Sequence, residues 1–139
     1  MRFMIIVKAN RDSEAGILPS RELITEMGKF NEELVKAGVM LAAEGLQSSS
    51  MGVRVRFSNG RHAVTRGPFP DPESLVAGYW LWKLDSLDDA ISWIKRAPFR
   101  DTEIEIRQVF ETEDFAASDP TGELRKQEER LRAQIAGKR

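Results

Sequence analysis

A chain of 139 residues, 41% hydrophobic and 31% charged and without a long low-complexity run, is sized for one domain with a tail and a real core. The absence of cysteine excludes thiol catalysis, disulfides and thiolate metal sites, and accords with a cytoplasmic setting. The formal charge of −1 argues against a general nucleic-acid binder; no apolar run approaches the roughly 18 residues of a membrane span, and the apolar stretch of MRFMIIVKAN is too short for a signal peptide.

The charge is unevenly placed. Gly45 to Pro70 contains no Asp or Glu but holds Arg54, Arg56, Arg61 and Arg66, so this segment is about +4 and the remainder near −5. Two readings follow: a site for an anionic small molecule, or the solvent face of an exposed hairpin.

In chain order, Phe3 to Val7 is a continuous β-branched and aromatic run, the pattern of a central strand covered on both faces. Asn10 to Glu14 reads as a loop. Ser20 is suited to cap a helix whose apolar positions Leu23, Ile24, Met27, Phe30 and Leu34 share one face, and Gly38 ends it. Val39 to Leu46 is the second strand, with Glu44 as its single charge. Such a carboxylate either sits at a wet rim or lies in a pocket, where desolvation would raise its pKa and make it a general base. Val53, Val55 and Phe57 alternate with arginines, Ser58-Asn59-Gly60 supplies a tight turn, and Arg61 to Thr65 returns with His62 and Val64 on one face.

Next comes a stiff connection. Gly67-Pro68 and Pro70-Asp71-Pro72 place three prolines in five residues, holding Arg66, Phe69 and Asp71 in fixed positions beside the sheet. The prolines equally serve to stop edge pairing and reverse the chain. Gly78 to Leu84 is an aromatic strand with Tyr79 and Leu81 on one face and Trp80 and Trp82 on the other, and two adjacent tryptophans demand cover from a helix, a ligand or a second subunit. Asp85-Ser86 caps a second helix bounded by Pro98, and Glu103 to Phe110 is the last strand. Asp119-Pro120 starts a final helix with only a thin apolar stripe of Leu124, Leu131 and Ile135. The expected division is a domain over residues 1–112 and a tail with its helix over 113–139.

With the hairpin set aside, the order βαββαβ predicts an α+β, ferredoxin-like antiparallel sheet with an inserted β-hairpin and a C-terminal helix. Both helices of such a fold cover one face. Trp80 and Trp82, or their neighbours, are expected on the other, where a homodimer would bury them and enclose a cavity.

The segments FMIIVKA, FNEELVKAGVMLAAEGLQ, VTRGPF, AGYWLWKLDSLDDAISWIKR and EIEIRQVFETEDF, in this order and spacing, resemble the YCII-related proteins of the DGPF type. The resemblance implies a dimeric α/β-barrel, a bacterial cytoplasmic protein, and a regulatory or accessory role at family level. The chain departs from the pattern at Arg66, which stands where the family motif has an aspartate before Gly-Pro-Phe. The His-Asp pair suspected in more distant relatives is not carried over either, since the only histidine is His62.

Three functions are open at this point. A homodimeric module would bind a small anionic or aromatic ligand at the sheet face, with Arg66, Phe69, Asp71, Trp80 and Trp82 as ligand-binding residues. A lyase, isomerase or monooxygenase-like enzyme would use Glu44 or His62 as acid/base and Arg66 as anion clamp. An accessory protein would dock its hairpin and tail on a regulatory partner. No metal, cofactor, nucleic acid or membrane is expected, since one histidine and no cysteine leave only carboxylates as ligands.

Overall fold

The computed structural model describes residues 1–137. The chain divides into two compact units, Met1–Gln108 and Val109–Arg139.

In the first unit, strands β1 (Arg2–Lys8), β2 (Met40–Gly45), β5 (Val76–Lys83) and β6 (Ile104–Gln108) form one antiparallel sheet, and β3 (Val53–Ser58) pairs only with β4 (Arg61–Arg66). The order β2-β5-β1-β6 puts the first and third of the four sheet strands in the middle, the ferredoxin-like arrangement. Helices α2 (Arg21–Lys36) and α3 (Leu87–Ile94) supply the two crossovers. Each starts at a serine that satisfies an otherwise unpaired amide: Ser20 Oγ accepts from Leu23 N and Ser86 Oγ from Asp89 N, both at 3.1 Å. The sequence anticipates only a loop at Asn10 to Glu14, but Asn10 and Ser13 cap one another reciprocally and wind one helical turn, α1 (Arg11–Glu14).

Register decides the two faces of the sheet. Phe3 lies opposite Trp82 and Ile5 opposite Trp80, and this set meets Phe30 and Leu34 of α2 and Ala90 of α3 in the core. Met4 opposite Leu81 and Ile6 opposite Tyr79 form the other face, which neither helix covers and which is half-buried. Of the two alternatives expected for the uncovered face, the neighbours Tyr79 and Leu81 occupy it, and Trp80 and Trp82 do not. Both are in the core, with Phe30 edge-on to their rings at 5.9 and 6.2 Å. The cause is parity: side chains alternate along a strand, and the positions facing Phe3 and Ile5 must be the ones the helices cover. For the same reason β1 is central but covered by helices on one face only.

The hairpin turns through Asn59 (φ 49°) and Gly60 (φ 75°), two successive left-handed residues as a tight two-residue turn requires. Every residue of β3 and β4 is exposed.

The second unit begins inside the stretch expected to finish the last strand, since β6 stops at Gln108. A 3-10 segment covers Thr112–Ser118, and α4 spans Glu123–Gly137. The final helix thus starts after Pro120, and its cap is Asp119, whose carboxylate accepts from Leu124 N (3.2 Å) and Arg125 N (2.9 Å). Glu128 and Arg132 pair at 3.0 Å, one turn apart.

Candidate functional site

Because all four strands are antiparallel, the ends of β1 and β2 and the starts of β5 and β6 lie along the same edge of the sheet. Backbone bonds tie the loops there: Ala9 N to Leu75 O at 2.9 Å, Lys8 N to Glu103 O at 3.2 Å and Leu46 N to Ala77 O at 2.8 Å. An open cavity of about 420 Å³ sits at this edge, with Lys8, Asn10, Arg11, Glu73, Asp101 and Glu103 in its lining. Asp101 (φ 50°) and Asp71 (φ 61°), just before the lining residue Pro72, take the left-handed backbone that aspartate tolerates better than most residues. The Asp71 carbonyl accepts from both Ser74 N (2.9 Å) and Ser74 Oγ (2.8 Å), which fixes the turn carrying Glu73.

Lys8 connects this cavity to the helix-free sheet face. Its side chain is 21% exposed and its ammonium lies 3.5 Å from Glu105, which stands opposite Ile6 on that face. Glu105 also accepts from Arg107 at 3.2 Å. The Arg107 hydrogen bond first, and the charge of Lys8 second, hold the Glu105 carboxyl below the usual glutamate range.

A second constellation anchors the stiff connection. Ser49 N donates to Glu14 Oε1 at 2.9 Å, Ser49 Oγ donates to the other oxygen of the same carboxylate, and Phe69 N donates to Ser49 Oγ at 2.9 Å. Gly67 passes so close that a Cβ there would lie 1.7 Å from the Ser49 carbonyl oxygen, so no side chain is admitted. The Arg54 guanidinium stacks 3.9 Å above the Phe69 ring. A site role for Glu14 and Ser49 was not legible in the sequence, because they lie 35 positions apart and neither belongs to a motif.

The residues expected to form the site are dispersed. Phe69 is held by Ser49 and has one ring face occupied by Arg54 of the same chain. Glu44 lies opposite Tyr79 on the helix-free face and is exposed, in accord with the rim alternative. His62 is on the hairpin, edge-on to Phe57 at 4.8 Å and exposed. Arg66 stands opposite Val53 at the hairpin root, exposed and without an ion-pair partner among the described residues. No hydrogen bond or ion pair joins Glu44, His62 and Arg66 to one another, and Asp71 is exposed on its own turn. Trp80 and Trp82 are core residues; Trp80 Nε1 donates to Asn31 at 2.9 Å, whereas Trp82 Nε1 is buried without a hydrogen-bond partner. Among the described residues no three His, Asp or Glu side chains come together as a metal site, and no helix is long and apolar enough to cross a membrane.

Comparison with known proteins places these features in context. A family model described as the YCII-related domain matches residues 1–113. No curated protein matches the chain. Among solved structures, that of 5-chloro-2-hydroxyhydroquinone dehydrochlorinase (TftG) from Burkholderia phenoliruptrix AC1100, in complex with 2,5-dihydroxybenzoquinone, is similar at 15% identity, covering 81% of this chain and 98% of that chain with a TM-score of 0.42.

Proposed function

The chain belongs to the YCII-related family, and from that premise we propose that it is a homodimeric module that binds a small ligand bearing an anionic group where the helix-free sheet face meets the cavity at the strand ends. The observation that carries this reading is the position of Lys8. It lines the cavity, is mostly shielded from water, and its ion pair with Glu105 reaches the sheet face. A cation so placed is a strong partner for an incoming carboxylate or phosphate, and Arg11 adds a second positive group to the same lining. Glu73, Asp101 and Glu103 give the cavity acceptors as well, which suits a ligand that also carries an ammonium or hydroxyl groups. The volume lies within the range of small-molecule sites, roughly 300–1,000 Å³. Binding rather than catalysis is favoured because Glu44, His62 and Arg66 are not hydrogen-bonded into an acid/base unit.

The test is a thermal-shift and calorimetric screen of small carboxylates, phosphates, amino acids and hydroxy-aromatic acids. A ligand at about 100 times its Kd adds roughly 2.7 kcal/mol of stability. Lys8→Ala should weaken the best hit by at least about tenfold, the ordinary loss on removing a charged hydrogen-bonding partner. Unchanged affinity in Lys8→Ala would remove this cavity from consideration.

A further inference from the structure

Glu14, Ser49 and Phe69 join two segments that also line the cavity. One is α1, whose start contributes Asn10 and Arg11; the other is the 3-10 turn Pro72–Ser74, which contributes Pro72 and Glu73. Glu14 closes the same helical turn that Arg11 opens, and Phe69 stands just before the Pro70-Asp71-Pro72 run. Both spacers are stiff, the first through the reciprocal caps of Asn10 and Ser13, the second through Pro68, Pro70 and Pro72. A single side chain bridges them. Ser49 donates through N and Oγ to the two oxygens of Glu14, and its Oγ accepts from Phe69 N at 2.9 Å.

Ser49 is also the root of the hairpin arm formed by β3 and β4. Gly52 N donates to the Ser49 carbonyl at 2.9 Å, Gly67 N donates to Gly52 O at 2.9 Å, and Arg54 of β3 stacks on Phe69. The arm itself is exposed along both strands, and a ribbon of that kind has little order beyond what its root supplies. Two closures therefore act on one pair of cavity walls: the Ser49 relay from the arm, and a ligand from within the cavity. Whichever forms first orders α1 and the proline connection for the other, so the entropy of that ordering is lost once rather than twice.

We infer that Glu14 and Ser49 are positioning residues for the cavity and couple its occupancy to the order of the arm root. A ligand held across the two walls tightens the relay, and the intact relay strengthens binding by the same factor, as linkage requires. This inference rests on the anion-binding reading above and adds the regulation of that site.

The test uses the full chain with inorganic phosphate and acetate as separate probes. Binding is followed through the amide resonances of Asn10, Arg11 and Glu73, and order of the arm root through hydrogen exchange at Gly67 N and Phe69 N. The expected result is that a bound probe slows exchange at both amides in the wild type. Ser49→Ala should weaken that probe about fivefold or more, the lower end of ordinary coupling, and abolish the slowing. Ser49→Thr, which keeps the hydroxyl, should retain both effects, and Glu14→Ala should reproduce the loss from the other end of the relay; circular dichroism checks that each variant folds. A probe that binds the wild type and is lost in Lys8→Ala, yet binds Ser49→Ala and Glu14→Ala with wild-type affinity, would leave the cavity reading standing and overturn the coupling. Weaker binding in Ser49→Ala with no probe-dependent change at Gly67 N and Phe69 N in the wild type would make the relay a brace only, and an equal loss in Ser49→Thr would take the hydroxyl out of the link; either overturns the inference. Binding of neither probe to the wild type would overturn the cavity reading and the coupling together.

Discussion

The four-stranded sheet and the hairpin arm are built from the same alternating grammar, yet they solve opposite problems. In the sheet, one set of alternating positions closes on two helices, and Phe3, Ile5, Leu34 and Trp82 are removed from water. In the arm, both sets remain exposed, and the turn and the root supply the order. Periodicity therefore determines which residues share a face; whether that face is buried depends on what lies within reach of it.

Trp82→Ala is the sharpest break of this contrast and carries the largest expected effect. It should cost about 3–5 kcal/mol in urea unfolding, as for other large buried aromatics. An arm substitution such as Phe57→Ala should change stability by less than about 0.5 kcal/mol, as exposed sites do. Similar costs at the two sites would mean that the arm shares the core's cooperativity.

Gly67→Ala addresses the joint between the two regions. The new methyl would overlap the Ser49 carbonyl, so the root must shift, at a cost of about 1–3 kcal/mol typical of overpacking. Hydrogen exchange should accelerate at Gly67 N, bonded to Gly52 O, and at Phe69 N, bonded to Ser49 Oγ, while the amides of β1 and β5 stay protected. Uniform acceleration across the sheet would show that the arm root is integral to the core.

The smallest effect concerns the helix-free face. Glu105 has its pKa lowered by Arg107 and Lys8, so its ionised form is preferred in the folded state. Its contribution is present above the ordinary glutamate value and is lost as pH falls through the lower folded value. Glu105→Gln should make the loss of melting temperature on acidification shallower and leave neutral-pH stability nearly unchanged, since exposed pairs contribute little. An identical acid limb in the variant would place the titrating groups elsewhere.

Much of the local structure was legible. Ser20 and Ser86 announce helices through their caps, Asn59-Gly60 announces the turn, and the order of elements announces the ferredoxin-like sheet. These signals act over a few residues and need no tertiary partner. The site was less legible, because its parts meet only after strands from distant segments align: Lys8 with Glu105, Glu14 with Ser49, Arg54 with Phe69.

The tryptophans show where that boundary runs. By itself the sequence determined that Trp80 and Trp82 share a face and require cover, since that follows from the two-residue period of a strand. Only the tertiary structure decided that α2 and α3, bringing Phe30 and Ala90, supply the cover, while Met4, Ile6, Tyr79 and Leu81 face the other way. The period is a property of the backbone; the side that is buried is set by where the crossover helices land.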